Sequence, residues 1–148
     1  MNEITKYPSG LLICLGIMVS SPSFAQESKD GFKGANVIVI TAANNDSTTY
    51  DKVIRTLIDA GFSIDVNNKD YFQLKTGPRT VPCAGCDQYV LMARVKDSKV
   101  FITANIQGNF SSGYSWSYSK SKLIKDYSVH EEIIKILGPL GQVSYLKQ

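Results

Sequence analysis

The chain has 148 residues and a formal net charge of +3, a length that suits one domain around one modest core. So mild a charge gives no reason to expect a polyanion partner such as nucleic acid. Three cysteines and a single histidine leave little material for metal ligation or for histidine-based catalysis.

Leu11 to Val19 reads LLICLGIMV, an uncharged run far short of the roughly 20 residues needed to span a bilayer. Lys6 precedes it, and Ser20-Ser21-Pro22 and then Ser23-Phe24-Ala25 follow. Small residues at Ser23 and Ala25 satisfy the small-x-small rule, so residues 1–25 are expected to be a signal peptide cleaved after Ala25. Cys14 follows Ile13, where a lipid-attachment signal wants a small residue. Cleavage leaves roughly 120 residues, still of single-domain size, and no later apolar run approaches membrane-spanning length.

Residues 26–34 are polar and glycine-punctuated, expected as a flexible leader, and 35–148 as a single domain. Ala35 to Thr41 is a β-branched run with apolar residues at both parities, predicting a central strand covered on both faces. Tyr50, Val53, Ile54, Leu57 and Ile58 then form one helical stripe. Thr48 and Asp51 fit a capping box, and Gly61-Phe62 a helix stop. The period changes to two: Phe62, Ile64 and Val66, a turn at 67–70, then Phe72 and Leu74, a hairpin with its apolar face on the helix. Runs 88–96 and 99–106 flank Asp97-Ser98 as a second, tight hairpin. Ser128 and Glu131 fit a capping box that opens a helix bearing Ile133, Ile134, Ile136 and Leu137, stopped by Gly138-Pro139. Residues 142–146 suggest a short final strand.

The order β-α-β-β-β-β-α(-β) predicts an α+β fold, an antiparallel sheet with two helices packed on one face. On the motifs NVIVI (36–40), YDKVIRTLIDAGF (50–62) and the hairpin around Asp97-Ser98, the chain resembles exported bacterial domains of unknown function with a TATA-box-binding-protein-like fold. The resemblance covers roughly residues 35–106, implies a fold and a compartment, and carries no catalytic residue with it.

Three features carry potential chemistry. Cys83-Ala84-Gly85-Cys86 is a C-x-x-C; an even pair of cysteines in an exported chain points to a structural disulfide. Thiol–disulfide exchange is the alternative, although the strand-like run after Cys86 lacks the helix that lowers a catalytic thiol pKa. A metal would need partners that the lone His130 does not supply. Tyr114-Ser115-Trp116-Ser117-Tyr118-Ser119 alternates strictly, so as a strand it sets three rings on one side. Those rings either form an exposed row suited to a sugar or a peptide, or cover one end of the core. The loop 75–80 offers two cations and two hydroxyls without the glycine spacing of a phosphate loop. His130 is expected to face solvent in the first turn of its helix, and the aspartates are not paired as acid and base.

Nothing in the sequence asks for an enzyme or a cofactor. The reading it supports is a non-catalytic, exported binding or scaffolding module, periplasmic, envelope-associated or secreted. Its partner would be an envelope protein, peptide or glycan, met on the exposed side of the sheet or at Tyr114, Trp116 and Tyr118. A thiol–disulfide protein using Cys83 and Cys86 is the second reading.

Overall fold

The structure is a computed structural model that describes residues 27–81, 87–108, 113–121 and 125–148. In chain order its elements are β1 (Glu27–Ser28), β2 (Val37–Thr41), α1 (Asp46–Asp59), β3 (Ile64–Asn68), β4 (Gln73–Thr76), β5 (Arg79–Thr80), β6 (Gln88–Lys96), β7 (Lys99–Gln107), β8 (Tyr114–Ser115), α2 (Lys125–Leu137) and β9 (Gln142–Leu146), with a 3-10 turn at Gly138–Leu140. The strands form one antiparallel sheet in the order β1-β9-β2-β7-β6-β4-β3, β5 pairing with β6 and β8 with β7. Both helices pack on the same face of it: Tyr50, Val53 and Leu57 of α1 and Val129, Ile133 and Leu137 of α2 share one core with the inward residues of the strands. The fold is thus α+β, as the alternation of hairpins and amphipathic helices implies.

β2 lies centrally between β9 and β7 and is buried on both faces. Ile38 and Ile40 point to the helices. Val37 and Val39 point the other way, beside Leu146 and Phe101. Above them Glu27 Oε2 meets Lys99 Nζ at 3.2 Å, while Glu27 Oε1 accepts from Ser144 Oγ at 2.8 Å. Within the segment read as a leader, Glu27 and Ser28 pair with Leu146 and Tyr145. Two-residue strands of this kind carry no periodicity for a sequence to display.

The cap of α1 lies three residues before the expected Thr48. Asn45 is the N-cap, its side chain accepting from Thr48 N at 2.9 Å, which places Thr48 in the first turn. The predicted stop is present in full. Phe62 N donates to Leu57 O and Gly61 N to Ile58 O, with Gly61 at φ +84°, the paired bonds of a Schellman motif closed by an apolar contact. Asp46, the first helical residue, accepts from Asp97 N at 3.1 Å and Ser98 N at 2.6 Å. Those two residues, at φ 53° and 59°, form the left-handed two-residue turn that a tight hairpin needs. The helix start therefore clamps the β6–β7 turn.

The β3–β4 hairpin departs from its expected facing. The register shifts between Ile64 and Val66, and a bulge of one residue turns every later side chain to the opposite face. Val66, expected against the helix, pairs with Lys75 and is half exposed. In the β6–β7 hairpin the pattern holds throughout: Tyr89, Leu91, Ala93 and Val95 oppose Ile106, Ala104, Ile102 and Val100, all buried. α2 already includes Lys125, so Ser128 lies inside the helix rather than capping it.

Candidate functional site

Two places were expected to hold the site, the aromatic stretch and the outer side of the sheet. Only Tyr114 and Ser115 of the stretch are strand, paired to Ile106 and Asn105 of β7. Beyond them Trp116 N donates to Ala104 O and Tyr118 N to Ala35 O, drawing the chain across the end of the sheet toward β2. Trp116 is only 1% exposed, Tyr114 is exposed, and Tyr118 lies between them. The three rings therefore do not make one flat outward row.

Trp116 and Tyr118 instead enclose His130. The indole stacks on the imidazole at 5.8 Å between centroids, and Tyr118 meets it edge-on at 5.3 Å. Tyr145 closes the cluster, its hydroxyl 2.9 Å from His130 Nε2. The indole N–H donates to Asp126 O at 2.7 Å. His130 is thus buried, not solvent-facing, because Trp116 and Tyr118 cross over it and Tyr145 closes the remaining side. Burial lowers its pKa, against the neighbouring Glu131 carboxylate. Nδ1 sits 3.5 Å from Glu131 Oε1, at the limit of a hydrogen bond and without an aligned partner. Asp126 Oδ1 is also buried without a partner, and desolvation raises that carboxyl's pKa although the Ser117 backbone amide bonds it. The His130 imidazole, walled by the rings of Trp116, Tyr118 and Tyr145, packs the end of the core.

The loop 75–80 is consumed by structure. Thr76 is buried, and its hydroxyl accepts from Leu91 N at 3.0 Å. Arg79 bonds Glu132 through Nε at 2.9 Å and Nη2 at 2.8 Å, donates to Ala60 O, and lies over the Phe62 ring. Tyr89 donates to the other Glu132 oxygen at 2.6 Å; burial first, then the acceptor carboxylate, pushes the phenol pKa up. This network ties the end of α1 and β5 to α2, and its cation is already neutralised. Cys83 and Cys86 lie outside the described residues. The residues that bracket them are joined, Val81 N donating to Asp87 O at 3.0 Å, and Asp87 pairs with Lys125.

The outer face of the sheet presents a different surface, a groove of about 500 Å³. Its rows follow from the register. One runs Thr103–Met92–Lys75–Val66 across β7, β6, β4 and β3; the next runs Phe101–Arg94–Gln73–Asn68. Val37 of β2 closes one end, and Lys96 extends the cationic side. Met92 is 44% and Val66 50% exposed, and Phe101 is half-buried. Among the described residues no acidic side chain lines the groove, and Lys75, Arg94 and Lys96 make no ion pair. Lys75 and Arg94 are diagonal neighbours, one opposite Met92 and the other opposite Gln73, close enough for like charges to repel.

Of these residues only Lys75 was singled out from sequence, as a cation of the 75–80 loop, and the rest were not named as site residues. Their signal was the outward parity of the β6–β7 hairpin, where a thioether and a phenyl ring alternate with the buried set. Val66 joins them only through the bulge. Among the described residues no three His, Cys, Asp or Glu side chains converge as a metal would require, and no helix is long and apolar enough to cross a membrane. No family model and no curated protein matches the chain.

Proposed function

We propose that this protein is a non-catalytic, exported binding module of the bacterial cell envelope and that it binds its ligand on the outer face of the sheet. The observation that carries the reading is the groove itself. A half-open depression of about 500 Å³ is of the size that small ligands fill, and it combines an apolar floor with cations that make no ion pair among the described residues. Apolar side chains left in water on one side of a sheet mark a contact surface. A second depression, of about 750 Å³, opens beside the His130 cluster, but there the Asp126 carboxyl sits among the cations Lys33 and Lys120, whereas no acidic side chain among the described residues lines the groove. Export rests on the apolar run Leu11–Val19 and the small residues Ser23 and Ala25.

Backbone-amide NMR tests the location. The full chain is titrated with a short anionic peptide, an oligosaccharide and a fatty carboxylate. Saturable shifts confined to β4, β6 and β7 are expected with at least one of them. Shifts clustering around Trp116 and Tyr118 instead would move the site to the aromatic end and sink the outer-face reading.

A further inference from the structure

From the spacing of charge and apolar surface in the groove, and resting on the outer-face reading above, we infer that the ligand is a single-chain anionic amphiphile, its carboxylate or phosphate held between Lys75 and Arg94 and its hydrocarbon chain laid across Met92 and Phe101 toward Val37.

Three observations give this occupant. The two cations belong to adjacent strands, β4 and β6, so one anionic head can touch both. A planar guanidinium beside an ammonium suits an oxyanion, which would also relieve the repulsion between them. From that point the longer run of apolar surface leads toward β2, since on the other side Val66 stands alone beside Lys75. Met92 and Phe101 follow on β6 and β7, then Val37 on β2, whereas Gln73 and Asn68 make the opposite side polar. The distance matches a chain rather than a ring. From between β4 and β6 to β2 is about two and a half strand spacings, roughly 12 Å. An extended chain advances about 1.2 Å per bond, so about ten carbons cover it. A sugar would meet too little hydrogen-bonding surface along this line, where among Met92, Phe101, Thr103 and Val37 only the Thr103 hydroxyl is polar. An acidic peptide would leave its backbone amides unpaired against the same residues.

The experiment uses the full chain with methyl-labelled methionine; Met92 is distinguished from Met1 and Met18 by comparison with Met92→Leu. Four ten-carbon probes below their micelle concentrations are titrated: decanoate, decyl phosphate, 1-decanol and decyltrimethylammonium. Anionic-lipid vesicles form a fifth arm. Decanoate and decyl phosphate are expected to shift the Met92 methyl saturably. The double variant Lys75→Gln/Arg94→Gln is expected to weaken both at least tenfold and leave decanol unchanged, with an unaltered Trp116 emission showing that it is folded. Decanol binding as tightly as decanoate, or an undiminished affinity in the double variant, would overturn the anionic head. Binding to vesicles without binding to monomeric decanoate would overturn the groove-bound chain in favour of a membrane surface. If none of the five arms moves Met92 while peptide or oligosaccharide shifts the same strands, the amphiphile fails and the outer-face reading stands. If nothing shifts those strands, both fail.

Discussion

His130 and Asp126 are two titratable groups at one end of α2, and burial acts on them with opposite sign. Burial holds the imidazole below its ordinary value of 6.5. Between the lowered value and 6.5 the unfolded chain binds more protons than the folded one, so stability falls as pH drops through that window and is complete above it. Burial raises the Asp126 carboxyl above its ordinary 3.8. Between 3.8 and the raised value the folded chain binds more protons, so stability falls as pH rises through that window. Denaturant midpoints measured from pH 3 to pH 8 separate the two. His130→Gln is expected to flatten the decline below neutrality, and an unchanged slope would show that the ring titrates as it does in the unfolded chain. Asp126→Asn is expected to become progressively more favourable relative to the parent as pH rises from 3 toward 7, because it removes a charge buried with one oxygen unpartnered. A variant whose relative stability is flat across that range would refute the burial argument.

Among the elements, the strongest local device is the contact between the start of α1 and the β6–β7 turn. Asp46 accepts two backbone N–H groups from residues 51 and 52 positions away. Asp46→Ala leaves both donors to water and removes a charge-assisted pair, an expected loss of about 1–3 kcal/mol. Asp46→Asn, which keeps one acceptor oxygen, should recover part of it. Gly61→Ala tests the other end of the helix: at φ +84° a Cβ is strained, and about 1 kcal/mol of destabilisation is expected in chemical denaturation.

These same elements show what a sequence can and cannot display. The stripe of α1 and the alternation of β6 and β7 were legible because burial imposes a period directly on residue type. The Schellman stop was legible because Gly61-Phe62 is local chemistry. The N-cap was displaced from Thr48 to Asn45 because both residue types can accept from a helix N–H, and only the path of the preceding strand decides between them. The bulge near Asp65 was not legible, since a register exists only relative to a partner strand. His130 was misplaced for a related reason. Its burial depends on a crossing by Trp116 and Tyr118 that ends their strand, which strict alternation had extended through six residues. The groove needed all of this at once, because its rows combine residues from four strands and one of them arrives through the bulge.

At the scale of the whole molecule the sheet has two unequal faces, one packed on both helices and one carrying the groove where binding is proposed. Ile102 is 1% exposed within the core shared with both helices, so Ile102→Ala should lose about 2–4 kcal/mol in denaturant unfolding. Met92, on the face of β6 turned away from both helices and half in water, should change stability by less than about 0.5 kcal/mol when replaced by Thr. The charged positions carry the argument further. Lys75 and Arg94 repel one another and have no ion-pair partner among the described residues, so nothing in folding explains both being cationic. Lys75→Gln and Arg94→Gln are therefore each expected to be neutral or stabilising, by up to about 0.5 kcal/mol, with the gain shrinking in high salt. Side chains retained against stability are the mark of a surface shaped by what it contacts. If either change destabilises the fold by more than 1 kcal/mol, that cation belongs to the scaffold, and the groove loses the charge that makes it a site.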